Sequence, residues 1–101
     1  MKIAFDIDGT YLEYPEVFDE LALMLQDSGH EVGFLTGRDV SEEIETGFEP
    51  DFKYYLGLDK EETPDERCMA KATKMLEEGI DMTYDDEADF FPDYVMVIKV
   101  I

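Results

Sequence analysis

An α/β domain built on one parallel sheet is the fold class this sequence predicts, and three observations carry the prediction. Short apolar runs alternate with stretches of helical spacing along the whole chain. Four Pro and seven Gly punctuate those stretches rather than cluster into a linker. The length, 101 residues, suits a single core, since a chain of this size buries roughly 60–65% of its unfolded surface. One Rossmann-like domain over residues 1–101 follows, with a sheet of about five strands joined by right-handed crossovers.

The elements are expected in this order. Lys2–Asp6 is an apolar run ending in acid and reads as a buried strand. Pro15–Ser28 carries Val17, Phe18, Leu21, Leu23 and Leu25 at helical positions, with Pro at the start and Gly29 past the end. Glu31–Thr36 is a second strand. Asp39 or Ser41 caps a short helix through Glu45, which Gly47 stops. Phe52–Leu56 is a third strand and Lys60–Pro64 a polar break. Asp65–Glu78 is a second long helix, with Met69, Ala72, Met75 and Leu76 on its inner face and Gly79 as its stop. Ile80–Tyr84 and Tyr94–Ile101 complete the sheet. Phe90-Phe91-Pro92 is expected to pack the loop between them.

Composition narrows the function. The 27 acidic and 8 basic residues give a formal charge of −19. Disorder is excluded by 7 Phe and 6 Tyr set in apolar runs. The charge disfavours nucleic acid and anionic membranes, whose phosphates proteins grip with Lys and Arg. Cys68 is the single cysteine, so no internal disulfide forms, and it is expected to pack rather than react. His30 follows a turn glycine and reads as structural. No apolar run approaches the ~20 residues of a membrane span. Met1–Phe5 meets Asp6 too soon for a secretory leader, so a cytoplasmic location is expected.

In an open parallel sheet, ligands sit outside the carboxyl ends of the strands. The first strand delivers Asp6-Ile7-Asp8-Gly9-Thr10 there, the second Thr36-Gly37-Arg38 and the fourth Asp85-Asp86. Lys71 lies on the helix preceding the fourth strand. Clustered carboxylates repel unless a cation sits among them, and Mg²⁺ takes hard oxygen ligands. An aspartate attacks phosphorus to form an aspartyl-phosphate, a second acid two residues on moves the proton, and a lysine meets the developing charge. Gly9 suits a turn where a side chain would crowd the ligand.

Asp6-Ile7-Asp8-Gly9-Thr10 resembles the first motif of the haloacid dehalogenase-like (HAD) superfamily. Val32–Arg38 resembles the second, Lys71 the third, and Thr83-Tyr84-Asp85-Asp86 the fourth, in order over nearly the whole chain. The resemblance implies Asp6 as nucleophile, Asp8 as general acid/base and Lys71 as the stabilising cation. It implies phosphate binding by Asp8, Gly9, Thr10, Thr36, Gly37 and Lys71, and Mg²⁺ binding by Asp6, Asp8, Asp85 and Asp86. Lys74 competes with Lys71, and Asp89 with Asp86. Arg38 is either the partner of a nearby acid or a substrate contact. Tyr11 stands where a small aliphatic residue is commoner. Neither Tyr11–Tyr14 nor Arg38–Phe52 has room for a cap domain, so a capless member is implied. The expected function is a Mg²⁺-dependent phosphatase acting on a phosphorylated small molecule or a protein-borne phosphate. The alternatives are a catalytically idle protein-binding module of the same fold and a nucleic-acid end-processing phosphatase. Self-association stays open.

Overall fold

The computed structural model describes residues 1–101 as one five-stranded parallel sheet with a helix on each face. The elements are β1 (Lys2–Phe5), α1 (Pro15–Asp27), β2 (Glu31–Thr36), β3 (Lys53–Tyr55), α2 (Pro64–Glu78), β4 (Met82–Asp85) and β5 (Val97–Lys99). The strand order is β3-β2-β1-β4-β5. Lys2 is in register with Glu31, and Phe5 with both Phe34 and Tyr84. No cap domain interrupts the chain, and no helix is long and apolar enough to cross a membrane.

Alternation along the strands divides the core in two. Ile3, Phe5, Val32 and Phe34 point to the α1 face, where they meet Phe18 and Ala22. Ala4 and Leu35 point to the α2 face and meet Met75 and Ile80. On α1 the inward stripe is Phe18, Leu21, Ala22 and Leu25, the i, i+3, i+4, i+7 spacing of a buried helix face. Val17 and Leu23, expected among the apolar positions, are exposed.

The face of α2 differs from expectation. Its buried residues are Cys68, Lys71, Ala72 and Met75, while Met69 and Leu76 are exposed. A lysine with two carboxylate partners takes a core position that hydrophobicity alone assigns to a methionine or leucine. The helix starts one residue earlier than expected. Thr63 Oγ1 accepts from the Glu66 N–H while the Glu66 carboxylate accepts from Thr63 N–H, a reciprocal cap. Gly79, at φ +67°, ends it in the left-handed conformation.

Three elements are markedly shorter than expected, the first being β3, which keeps Lys53–Tyr55 of Phe52–Leu56. The expected short helix is only the turn Val40–Glu42, capped by Asp39, and it closes before Glu45. Gly47 does not stop it; its N–H donates to Asp19 Oδ1 instead. β5 keeps only Val97–Lys99 because pairing with β4 is confined to those residues. Phe91 packs beside the α2-side core, whereas Phe90 is exposed.

Candidate active site

The strand order reverses beside β1. The chain steps outward from β1 to β2 and β3, then crosses back to place β4 on the other side of β1. The loops leaving β1 and β4 therefore diverge, and the gap between them is where open α/β sheets hold ligands. A cleft of about 360 Å³ opens there. Leu58 is its one hydrophobic lining residue.

The turn after β1 is set by its own backbone. Tyr11 N–H donates to Asp6 O at 3.2 Å and Leu12 N–H to Ile7 O at 3.0 Å, a wide loop of five-residue spacing. Gly9 sits inside it at φ +78°, and a Cβ there would run into the Asp86 carboxylate. Both constraints require glycine. Thr10 is fully buried below the cleft, and its Oγ1 accepts from Asp86 N–H at 3.2 Å. It ties the β1 turn to the β4 turn rather than facing the cleft.

Tyr11 is buried where a small residue was the commoner choice. Its hydroxyl donates to Asp19 Oδ1 at 2.6 Å and accepts from Gly47 N–H at 3.3 Å. Burial, with the Asp19 hydrogen bond, pushes this phenol up to about 12.

The centre of the site is a buried ionic trio. Lys71 Nζ lies 2.7 Å from Asp85 Oδ2 and 3.1 Å from Asp6 Oδ1. Asp6 is 5% exposed, Lys71 3% and Asp85 0%. Burial raises the Asp6 carboxyl well above the usual carboxylate range; Lys71 pulls it back and Asp85 adds to the rise. Burial alone would lower the Lys71 ammonium, but Asp6 and Asp85 together hold it above its ordinary value. Lys74, the competing lysine, pairs instead with Glu78, one turn further along the helix, at 3.5 Å.

Carboxylate oxygens of Asp6, Asp85 and Asp86 all lie within 4.8 Å of one another. Asp86 is the exposed member, and burial of its carboxyl, with Asp85 beside it, raises its pKa. Asp89, the alternative second acid, turns away and pairs with Lys99 at 2.6 Å. The donor set is three hard oxygens with no imidazole or thiolate, which suits a hard divalent cation.

Thr36 ends β2 at the cleft floor, and its Oγ1 accepts from Arg38 N–H at 3.2 Å. Asp8 projects from the turn and is forked by Arg38: Nε reaches Oδ2 at 2.9 Å and Nη2 reaches Oδ1 at 2.8 Å. These hydrogen bonds hold the Asp8 carboxyl below its usual range. Asp6, Asp8, Gly9, Thr36, Gly37, Lys71 and Asp86 line the cleft together, and Asp85 lies directly behind them.

Five contributors, Leu58, Asp59, Lys60, Arg67 and Glu87, were not singled out in the sequence. Arg67, from the first turns of α2, forks Glu87 at 2.6 and 3.2 Å. Leu58, Asp59 and Lys60 reach the cleft because their loop is zipped onto the end of β2. Leu56 N–H donates to Thr36 O, Gly57 N–H to Arg38 O and Leu58 N–H to Gly37 O. Residues 56–59, just before the polar break at Lys60–Pro64, carry no sequence signal of that pairing. Cys68 is buried beneath Glu87, and burial pushes its thiol up to about 12, which removes it as a nucleophile at neutral pH.

No family model, curated protein or solved structure matches this chain.

Proposed function

We propose that the protein is a Mg²⁺-dependent phosphoric monoester hydrolase that works through an aspartyl-phosphate on Asp6, as a capless relative of the HAD superfamily. One observation carries the reading. Asp6, at the carboxyl end of the central strand, faces an open polar cleft with Lys71 at 3.1 Å and two further carboxylates within 4.8 Å. A carboxylate held among a cation and potential metal ligands is a nucleophile for phosphorus rather than a structural acid.

Asp6, Asp85 and Asp86 would hold the ion, with the Asp8 main-chain carbonyl completing the protein's share. Bound there, Mg²⁺ supplies positive charge to the phosphoryl oxygens. Asp6 attacks phosphorus, and the ester P–O bond breaks. Asp8 gives its proton to the leaving alcohol. Asp8, now a carboxylate, takes a proton from water as that water attacks the phosphorus. Inorganic phosphate leaves and the Asp6 carboxylate is restored. Lys71 counters the burial that raises the Asp6 carboxyl, favouring its ionised form, and balances the charge of the transferring group. Thr36 and the Gly37 N–H orient the phosphoryl oxygens. The Arg38 fork must loosen for Asp8 to carry a proton.

That fork also favours a second reading. With Asp8 clamped as an ion, the same cleft serves a non-catalytic phosphate-binding module. Turnover separates the two. Wild-type protein should release phosphate from an aryl phosphate only with Mg²⁺. Asp6→Asn should abolish release with the fold intact, and Asp8→Asn should lose nearly all of it. Retention of most of the rate by Asp6→Asn sinks the covalent mechanism. Silence of the wild type towards every ester leaves the binding module.

A further inference from the structure

The distribution of positive charge is not even. The chain has 8 basic residues against 27 acids. Arg38, Lys60, Arg67 and Lys71, four of those eight and both of the arginines, line the one cleft. Lys71 is committed to Asp6 and Asp85. Arg38 forks Asp8 and Arg67 forks Glu87, which leaves Lys60.

Lys60 stands apart among them. Every other basic side chain makes an ion pair or a hydrogen bond, whereas Lys60 makes neither. In so acidic a chain a free ammonium in a cleft is available for a ligand. Three backbone hydrogen bonds join residues 56–58 to 36–38, and Lys60, two residues beyond that pairing, lines the same cleft as Arg38. A guanidinium has five N–H donors. Arg38 uses Nε and Nη2 on Asp8 and one Nη1 hydrogen on Glu42 O at 3.0 Å. One hydrogen on each terminal nitrogen is left.

Among the lining acids, Glu42 Oε1 accepts from Asp39 N–H at 3.1 Å and Asp59 Oδ1 from Glu61 N–H at 2.9 Å, and neither pairs with Lys60. Leu58 alone is apolar, so the cleft does not select a greasy leaving group. Its volume of about 360 Å³ is that of a small-molecule site.

We infer that Lys60 and the spare N–H groups of Arg38 form a second anion subsite. The ligand class is a small, polar phosphomonoester carrying a further carboxylate or phosphate a few bonds from the first. This rests on the reading of the Asp6 end of the cleft as the phosphoryl position.

Phosphonates test it without turnover, because their C–P bond is not hydrolysed. Calorimetric titrations in Mg²⁺ at low salt would compare ethylphosphonate with 3-phosphonopropionate and with ethane-1,2-bisphosphonate. At least one of the two extended probes should bind about fivefold to tenfold more tightly than ethylphosphonate. The tighter of them tells whether the second group is a carboxylate or a phosphate. Lys60→Gln should collapse that ratio, and added sodium chloride should shrink it. Lys74→Gln removes the same charge outside the cleft and should keep it. Equal affinity for all three probes, binding of none, or an unchanged ratio in Lys60→Gln overturns the subsite. Ester hydrolysis plays no part in this readout, so a silent phosphatase assay overturns the catalytic reading alone.

Discussion

The two faces of the sheet are built from the same strands and do opposite things. The α1 face is aromatic. Phe5 meets Phe18 at 4.8 Å, Tyr84 at 5.5 Å and Phe48 at 6.0 Å between ring centroids, all edge to face. Tyr11 and Phe34 meet in the same way at 5.3 Å. Nine buried residues form that core. The α2 face has four, and beside them it buries Asp6, Lys71 and Asp85. Thr83 Oγ1, the one buried side-chain polar atom without a partner, lies on the same strand face as Asp85. Aromatic burial stabilises a fold without conditions. A buried ionic trio does so only while all members are present, because desolvation offsets most of its attraction. One face therefore holds the domain together while the other holds charges in place for a site.

Breaking each face should give the largest effects and tell them apart. Phe34→Ala should cost about 3–5 kcal/mol in urea unfolding, with or without Mg²⁺. Lys71→Met should cost a similar amount, about 3–5 kcal/mol, by stranding two buried carboxylates. The difference lies in rescue. Adding Asp6→Asn and Asp85→Asn to Lys71→Met should recover most of the loss, since the charges then vanish together. If the triple variant is no more stable than Lys71→Met, the α2 face is not governed by charge balance.

A smaller effect sharpens the same contrast. Mg²⁺ at a hundred times its dissociation constant should stabilise the wild type by ~2.7 kcal/mol. Sodium chloride at matched ionic strength controls for screening of the −19 charge. Asp85→Ala should remove the Mg²⁺-specific part. Equal rises in melting temperature with either salt would show that no dedicated ion site exists.

The smallest effect belongs to the aromatic face. Tyr11 titrates near 12 when folded against an ordinary value of 10.0. Its folded pKa is raised, so its contribution is complete below about pH 10 and is lost as pH climbs towards 12. Tyr11→Phe should lose about 1 kcal/mol at neutral pH with the Asp19 hydrogen bond. Its stability should then fall less steeply than that of the wild type between those two pH values. Parallel stability–pH curves for the two proteins would remove Tyr11 from the account.

Much of this was legible in the sequence because it is local. Apolar runs ending in Asp6, Thr36 and Asp85 mark strands whose ends share an edge, and Pro15 and Gly79 mark helix ends. Of the two competing lysines, Lys71 meets Asp85 and Lys74 meets Glu78, a choice made by contacts across the sheet. Only the tertiary structure decided the rest. It turned Lys71 rather than Met69 or Leu76 inward, because the partners that make a buried ammonium tolerable come from β1 and β4. It clamped Asp8 with Arg38, thirty residues away, and separated Asp86 from Asp89. It brought Arg67 and Lys60 into a cleft that no local pattern announces. Periodicity and capping report what a segment does with its own backbone. Which charges meet depends on strand order and loop pairing, and those are fixed only when the whole chain closes on itself.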